Sequence, residues 1–328
     1  MQEQEKKPLI VLTGPTAVGK TKLSISLAQK IGGEIISADS MQVYRGMDIG
    51  TAKITPGEMG KVPHHLIDIL LPGDEFNVVR FQELAKEAME GIYARGRLPI
   101  IVGGTGFYIQ AVTNAVDFTE SETDMSLREE LYDFAREHGA AALHARLLEV
   151  DPAAAAKIHE NNIKRMIRAL EYHAQTGGRI SEHNEEQAGH IPPYRLFYFV
   201  LTAPRDILYG NIDRRVDKMM EDGLLAEVES LRAAGVPRSA VSMQGLGYKE
   251  LFAYLEGELS LTEAIERIKR DTRHFAKRQL TWFKREKQVI WVDKSDYGFD
   301  EEKILDVVSG MIKDGLGLCR RAAECEGL

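Results

Sequence analysis

The segment from Gly14 to Thr21 reads Gly-Pro-Thr-Ala-Val-Gly-Lys-Thr and matches the pattern G-x-x-x-x-G-K-[ST] of a phosphate-binding loop. An apolar run, Leu9 to Leu12, precedes it and predicts a buried strand. After it, Leu23, Leu27 and Ile31 recur at helical spacing. A glycine-rich turn that opens a helix directs backbone N–H groups and the positive end of the helix dipole toward an anion. The sequence therefore predicts a binding site for a di- or triphosphate.

Two side chains of this loop have predicted roles of their own. Lys20 adds a point charge for the terminal phosphates, and the hydroxyl of Thr21 is a natural ligand for the accompanying Mg²⁺, which we expect as a cofactor. The residues predicted to bind a diphosphate or a nucleotide are Gly14, Pro15, Thr16, Ala17, Val18, Gly19, Lys20 and Thr21.

Short apolar strands alternate with helices in the first part of the chain. Such strands predict a parallel sheet with helices on both faces, here of the P-loop NTPase-like α/β class. The predicted strands are Ile10–Leu12, Glu34–Ser37, Leu98–Val102, Arg195–Leu201 and Val289–Val292, and the predicted helices of this part are Lys20–Ile31 and Phe76–Arg95.

A helical insertion is predicted at residues 120–193, within the sheet-forming sequence. Helices are expected there at 126–138, 140–149 and 161–176. Residues 177–193 are polar and contain Gly, Asn, His and Pro, which favours a surface loop. The predicted domains are residues 1–119 for the first part of the core, 120–193 for the insertion, and 194–328 for the rest of the core with a basic helix at 261–288 and an acidic tail.

The basic helix is the most strongly charged segment of the chain. The whole sequence has a net charge of −8, which by itself argues against nucleic acid, yet residues 261–288 hold nine basic and four acidic side chains. A nearly all-positive face favours binding of a polyanion, although a charged face is often only a solvated one. By helical geometry the basic side chains share one face and the aromatic ones point to the core: Arg270, Arg273, Lys277 and Lys284 against Phe275, Trp282 and Phe283.

Several protein classes are disfavoured by composition. No apolar run reaches the roughly 18 residues of a membrane span. The polar N-terminus does not resemble a signal peptide. The two cysteines, Cys319 and Cys325, supply neither a disulfide framework nor a zinc site. We expect a cytoplasmic protein with no membrane attachment.

A carboxylate follows the second predicted strand. Asp39 lies at its C-terminal end, the edge of an open α/β sheet where ligands bind. One interpretation is a carboxylate that takes a proton from a nucleophile or holds the metal. The other is a residue that caps a turn or a helix.

The third predicted strand ends in glycines and Thr105 rather than in an acid. Glycines allow close backbone approach to a ligand, and Thr105 offers a hydroxyl. It could equally cap the next helix, and both interpretations can hold. The pair His64-His65 suggests a metal site, but adjacent side chains point apart on an extended chain, so structural contacts are expected.

Together these segments resemble the tRNA dimethylallyltransferases, which prenylate the adenosine next to the anticodon. The matching blocks occur in order over nearly the whole chain, and only the segment after about residue 295 lies outside them. The blocks are GPTAVGKT (14–21), SADSMQVYRGMDIGTAK (37–53), PHHLID (63–68), VGGTGFY (102–108), NNIKRMIRALE (161–171), GLGYKE (245–250) and TRHFAKRQLTWFKR (272–285).

The resemblance implies roles for residues in several of these blocks and for a few residues outside them. Dimethylallyl diphosphate would bind in the phosphate loop with Mg²⁺ on Thr21, and Asp39 would be the general base for the exocyclic N6 amine. Thr105 and Arg215 would contact the diphosphate or the acceptor. The acceptor would be the anticodon stem-loop of tRNA, and the enzyme would be a monomer. The residues implied to contact tRNA are Asp39, Ser40, Met41, Gln42, Thr105, Arg128, Ile163, Lys164, Arg165, Met166, Ile167, Lys277, Arg278, Gln279, Trp282 and Arg285.

The chemistry is consistent with these residues. An aromatic amine is a poor nucleophile, so its alkylation needs a neutralised leaving group and a base. Three alternatives remain at this point: a small-molecule or nucleotide kinase, a prenyltransferase that acts on free AMP or ATP, and a nucleotide-switched RNA-binding module. The basic segments favour tRNA, because small acceptors do not need a polyanion surface.

Overall fold

The computed structural model describes residues 6–116, 125–188 and 192–317. Within these ranges the chain forms a six-stranded sheet in which all pairings are parallel. The strands are β1 Pro8–Thr13, β2 Gly33–Ala38, β3 His64–His65, β4 Leu98–Gly103, β5 Arg195–Thr202 and β6 Ile290–Asp293, in the order β3-β2-β4-β1-β5-β6. The predicted α/β fold is confirmed. The sequence did not predict β3, because two paired residues are too short a run to show a periodicity.

Six helices of the described residues correspond to predicted ones, and the basic helix predicted at 261–288 ends at Phe283. The other helices were not predicted. The helices of the described residues are α1 Lys20–Ile31, α2 Val78–Ala94, α3 Gly106–Thr113, α4 Met125–His138, α5 Ala140–Val150, α6 Pro152–Lys157, α7 Ile163–Thr176, α8 Ile180–Ala188, α9 Arg205–Glu221, α10 Leu224–Ala233, α11 Tyr248–Leu255, α12 Leu261–Phe283 and α13 Glu301–Gly315. The surface loop predicted at 177–193 was wrong, since α8 lies there. Gly177 ends α7 in a left-handed conformation, and the polar sequence after it belongs to a helix with a mostly exposed surface.

Alternate residues of the strands face two separate apolar layers. On β1, Leu9 and Val11 belong to one buried cluster, and Ile10 and Leu12 belong to the other. All four are fully buried. A central strand covered on both faces reads as a continuous apolar run, as seen here.

The chain divides into two compact units, residues 1–113 with 193–328 and residues 114–192. The second unit has its own apolar cluster, in which Leu143 and Leu147 of α5 meet Met166 of α7. The sheet belongs to the first unit.

Part of the acidic tail forms helix α13, which packs in the first unit. Its Ile304, Val308 and Ile312 are fully buried in the cluster that also contains Leu27 of α1. Asp306 forms an ion pair with Lys30 of α1. The segment after residue 295 therefore completes one helical layer. Cys319 and Cys325 lie outside the described residues.

Candidate active site

Three loops meet at one edge of the sheet because their strands are in register. Gly103 at the end of β4 pairs with Thr13 of β1 on one side and with Ala38 of β2 on the other. The hydroxyl of Thr13 donates to the carbonyl of Gly103 at 2.7 Å. The backbone N–H of Thr105 donates to the carbonyl of Ala38 at 3.3 Å. The loops that begin at residues 14, 39 and 104 are therefore neighbours.

The phosphate loop needs glycine at both ends. Gly14 has φ +146°, and a Cβ there would lie 2.4 Å from the carbonyl oxygen of Leu201. Gly19 has φ +94° and immediately precedes α1. Lys20 bends back over the loop, and its Nζ donates to the carbonyls of Gly14 at 3.0 Å and Pro15 at 2.9 Å. The loop thus has the form of an anion-binding turn at a helix N-terminus.

The surroundings of Lys20 disfavour its charged form. Burial, together with the positive charge of Arg215, lowers the pKa of Lys20 from 10.5 to about 7, and Asp39 opposes this shift. Burial also lowers the pKa of Arg215, again opposed by Asp39. In the part of the chain that the structure describes, no residue accepts a hydrogen bond from the guanidinium of Arg215. Two crowded cations with a single nearby carboxylate favour an anionic ligand.

Asp39 fits both interpretations of its sequence position. Its Oδ1 accepts hydrogen bonds from the backbone N–H of Met41 at 2.9 Å and of Gln42 at 3.4 Å, which makes it the first residue of a turn. Among the described residues nothing donates to its Oδ2. Asp39 also lines both cavities at this edge of the sheet. The turn fixes one oxygen of the carboxylate and leaves the other for a ligand.

The two cavities differ in size and lining. The smaller, about 140 Å³, lies against the phosphate loop and includes Lys20 and Thr21. The larger, about 310 Å³, has apolar side chains such as Ile212 and Met219 of α9 and Ile268 of α12. Residues common to both are Thr16, Asp39, Thr51, Gly104, Arg215, Phe275 and Gln279. An anion site and a mixed polar and apolar site therefore adjoin at Asp39.

The glycines after β4 serve a purpose that the sequence did not indicate. A Cβ at Gly104 would lie 2.2 Å from Nε2 of Gln279, and one at Gly106 would lie 2.2 Å from Cδ1 of Trp282. We expected these glycines to admit a ligand. At Gly106 that interpretation is corrected, because α12 approaches the backbone there and Gly106 lines neither cavity. Gly104 meets α12 and also lines both cavities, so ligand approach there stays a prediction.

Gln279 joins α12 to two of the three loops. Its Oε1 accepts from the backbone N–H of Thr16 at 2.9 Å, and its Nε2 donates to the carbonyl of Gly104 at 2.9 Å. The side chain is buried. Gln279 thus sets the distance between the phosphate loop and the β4 turn, and its predicted contact with tRNA stays a prediction.

The basic face of α12 is only partly available to a ligand. Lys269 and Arg273 form ion pairs with Asp217 and Asp213 of α9, at 2.6 Å and 2.5 Å. Arg273 was expected on a nearly all-positive face, but Asp213 compensates its charge. A helical wheel does not show what packs against a face. Lys277, Arg278, Lys284 and Arg285 are exposed.

The aromatic residues of α12 do not all point into the core. Phe283 is fully buried, as expected. Phe275 instead lines both cavities. Trp282 makes an edge-to-face contact with Phe107 at 6.1 Å between ring centroids, next to Gly106.

In the second unit the predicted tRNA contacts differ in accessibility. Lys164 and Arg165 at the start of α7 are exposed, whereas Met166 and Ile167 are 0% and 2% exposed within the apolar cluster. The prediction of side-chain contacts is therefore corrected for Met166 and Ile167. Arg128 forms a bidentate pair with the buried Glu171, at 2.6 and 2.9 Å.

The adjacent histidines have structural contacts, as expected. Nδ1 of His64 lies 2.8 Å from the carbonyl of Val62, and Nε2 of His65 lies 2.8 Å from Oε2 of Glu34. Among residues 6–116, 125–188 and 192–317, no three His, Cys, Asp or Glu side chains are grouped so that they could hold a metal ion.

A buried lysine behind the phosphate loop was missed. Nζ of Lys294 donates to the carbonyl of Val18 at 3.3 Å and forms an ion pair with Glu301. A Cβ at Gly19 would lie 2.9 Å from this nitrogen. Lys294 and Val18 are 276 residues apart, and Lys294 lies outside the matching blocks. No sequence signal therefore indicates this contact.

Comparisons with known proteins agree with these observations. A family model described as IPP transferase matches residues 42–286, and one described as isopentenyl transferase matches residues 7–68. A tRNA dimethylallyltransferase of Lachnoclostridium phytofermentans is 62% identical over 302 residues, which cover 92% of this chain and 96% of the relative. One of Halalkalibacterium halodurans is 49% identical with the same coverage.

Solved structures of such proteins have the same fold. The full-length tRNA isopentenylpyrophosphate transferase of Bacillus halodurans has a TM-score of 0.71 at 46% identity, covering 96% of this chain and 100% of that one. A eukaryotic dimethylallyltransferase acting on tRNA has a TM-score of 0.78 at 30% identity, covering 94% of this chain and 80% of that one. Since a family model spans most of the chain and relatives match nearly all of it, this chain belongs to the IPP transferase family.

Proposed function

We propose that this chain transfers a dimethylallyl group from dimethylallyl diphosphate to the exocyclic N6 of an adenosine in tRNA, the one on the 3′ side of the anticodon, and releases diphosphate. The relatives are named for this activity. Support from the structure is the meeting of two cavities at Asp39, one at a phosphate loop and one lined by both polar and apolar side chains.

The phosphate loop would hold the leaving group. Its backbone N–H groups, the ammonium of Lys20 and the guanidinium of Arg215 would neutralise the diphosphate as the bond between the allylic carbon and oxygen breaks. The dimethylallyl chain would lie in the larger cavity against Ile212, Met219 and Ile268. Stabilisation of a leaving anion by preset donors is the main electrostatic contribution expected here.

Asp39 would accept the proton. The N6 lone pair forms the new bond to the allylic carbon, and the nitrogen then releases one proton to the carboxylate oxygen that the turn does not use. Because the bond that breaks is C–O and not P–O, the site does not need the acid that many kinases have after the third strand of the sequence. Thr105 lines the larger cavity together with Asp39 and would orient the acceptor or the diphosphate.

Mg²⁺ would bind at Thr21. The threonine hydroxyl is exposed in the first turn of α1 and lines the phosphate cavity together with Asp39, so the available donors are hard oxygens, which Mg²⁺ prefers. The ion would take its remaining ligands from diphosphate and water. When bound, it supplies further neutralisation of the leaving group.

No helix of the described residues is long and apolar enough to cross a membrane. The preference for the anticodon stem-loop, the monomeric state and the cytoplasmic location stay predictions. For the stem-loop, support comes from exposed cations on two helices, among them Lys277 of α12 and Lys164 of α7. A loop base can leave the stack and enter a pocket more easily than a paired one.

The test uses labelled dimethylallyl diphosphate with purified protein and an anticodon stem-loop RNA. We expect label in the RNA, loss of transfer when the target adenosine is replaced by guanosine, and no phosphoryl transfer from labelled ATP. Asp39→Asn should lower the single-turnover rate by roughly 10² to 10⁴ while stem-loop affinity stays within about threefold. Label in free AMP but not in RNA would contradict the tRNA acceptor, and an unchanged rate would leave Asp39 as a turn residue only.

A further inference from the structure

We propose that Glu227 is a positioning residue that holds the loop of residues 48–52 and, through it, the general base Asp39. This inference rests on the proposed function. Glu227 lies on α10 and belongs to neither cavity lining. Gly50 and Thr51 of the loop do line the larger cavity.

The carboxylate of Glu227 accepts from three consecutive backbone N–H groups. Oε2 is 2.8 Å from the nitrogens of Asp48 and of Ile49, and Oε1 is 3.2 Å from the nitrogen of Gly50. Successive N–H groups that converge in this way form a concave site for an anion. In this protein the anion is a side chain from a distant helix, so the loop is fixed to α10.

A tyrosine completes the arrangement. The hydroxyl of Tyr248 donates to Oε1 of Glu227 at 2.6 Å. Burial, with Glu227 next, raises the pKa of Tyr248, so the hydroxyl stays protonated and remains a donor. A Cβ at Gly50 would lie 2.6 Å from Cζ of Tyr248. The Tyr248 ring can therefore pack this closely only because residue 50 is glycine, and this packing holds the loop against α11.

The loop in turn supports Asp39 through Gln42. Nε2 of Gln42 donates to the carbonyl of Thr51 at 3.2 Å, and its Oε1 accepts from the hydroxyl of Ser37 at 3.1 Å. The backbone N–H of Gln42 donates to Oδ1 of Asp39 at 3.4 Å. A loop that moves away from α10 would release Gln42 and change the direction of the carboxylate that takes the proton.

Only a carboxylate can make all four contacts. In Glu227→Gln one oxygen becomes an NH₂ group, a donor that would face the donors on the loop or the tyrosine. The volume and the helix stay the same. Glu229→Gln is the matched control, because Glu229 is an exposed glutamate on the same helix.

The first measurement is hydrogen exchange at the amides of residues 48–50. We expect Glu227→Gln to speed their exchange at least tenfold and Glu229→Gln to leave it unchanged. Tyr248→Phe keeps the ring on Gly50 and should have an intermediate effect. Unchanged exchange in Glu227→Gln would overturn the clamp, whatever the activity.

The second measurement is a double-mutant cycle on the single-turnover rate with stem-loop RNA. Glu227→Gln should lower the rate roughly 10- to 100-fold, as expected for a misplaced catalytic group. The affinity for dimethylallyl diphosphate should stay within threefold. In an Asp39→Asn background the same change should cost less than threefold, because the group that it positions is already absent.

Equal losses in both backgrounds would show a general structural effect and overturn the positioning role. Absence of transfer by the wild-type protein would overturn the proposed function and this role with it. The exchange measurement needs no substrate, so it still decides separately whether Glu227 holds the loop.

Discussion

Diphosphate binding should be coupled to protonation of Lys20. In the free protein, burial and the charge of Arg215 lower the pKa of Lys20 from 10.5 to about 7. A bound diphosphate places negative charge beside Nζ and raises the pKa again. The ammonium is then the form that binds, so affinity is highest below the free pKa and falls as pH rises above it.

The magnitude follows from the free pKa of about 7. At pH 8 only about a tenth of Lys20 is protonated before binding, so the complex should take up about 0.9 proton. Between pH 8 and 9 the affinity for dimethylallyl diphosphate should fall about tenfold. The ligand does not contribute in this range, because a terminal phosphate loses its last proton near pH 6.

Titration calorimetry in two buffers of different ionisation enthalpy measures the proton uptake directly. Lys20→Met should bind more weakly and show no uptake. Lys22→Met is the matched control, since Lys22 is exposed in the same turn of α1 and should leave the coupling intact. Constant affinity from pH 7 to 9 with no proton uptake in the wild-type protein would refute the reasoning and show that Lys20 is already charged in the free site.

Two further outcomes test other parts of the structure. Lys294→Met leaves Glu301 without its ion-pair partner behind the phosphate loop, and should lower the free energy of unfolding by about 1–3 kcal/mol in a denaturant titration. The double variant Lys294→Met with Glu301→Leu should recover part of that loss. Equal losses of stability in the single and the double variant would contradict a paired role. Filter binding across salt concentrations tests the exposed cations of α12, and each phosphate contact that is lost should lower the slope of log affinity against log salt by roughly 0.7 to 0.9. Replacing Lys277, Lys284 and Arg285 together by alanine should therefore flatten the slope, and an unchanged slope would exclude this face as an RNA-binding surface. The control replaces Lys269 and Arg273, which are already ion-paired with α9 and should leave the slope unchanged.

Local patterns predicted the parts of the fold that local interactions determine. The apolar run Leu9–Leu12 and the glycines of the phosphate loop are close in sequence to the structure that they form, and the bounds of α1 agree with the prediction. Asp39 was found because the end of a parallel strand is a general site for ligands. Its dual role, in the turn and in the cavity, needed the hydrogen bonds.

Contacts over long sequence separations could not be predicted in this way. Gln279 lies 263 residues from Thr16, and a helical wheel gives its face but not its partner. The same holds for Arg273, whose charge is compensated by Asp213 of α9. The polar composition of residues 180–188 indicated a loop, because a helix with a mostly exposed surface lacks a strong apolar stripe.

Replacement of Asp39 affects diphosphate binding as well as proton transfer, because Asp39 lies near Lys20 and Arg215. Its carboxylate raises the pKa of Lys20 and of Arg215 against the effect of burial. Asp39→Asn therefore removes a base and also makes the ammonium of Lys20 easier to lose, so near pH 8 it should weaken diphosphate binding as well as chemistry. At pH 6 Lys20 is protonated in the wild-type protein, and the binding defect should be smaller there. A rate defect that persists at pH 6 with saturating dimethylallyl diphosphate belongs to proton transfer, and one that disappears there belongs to Lys20.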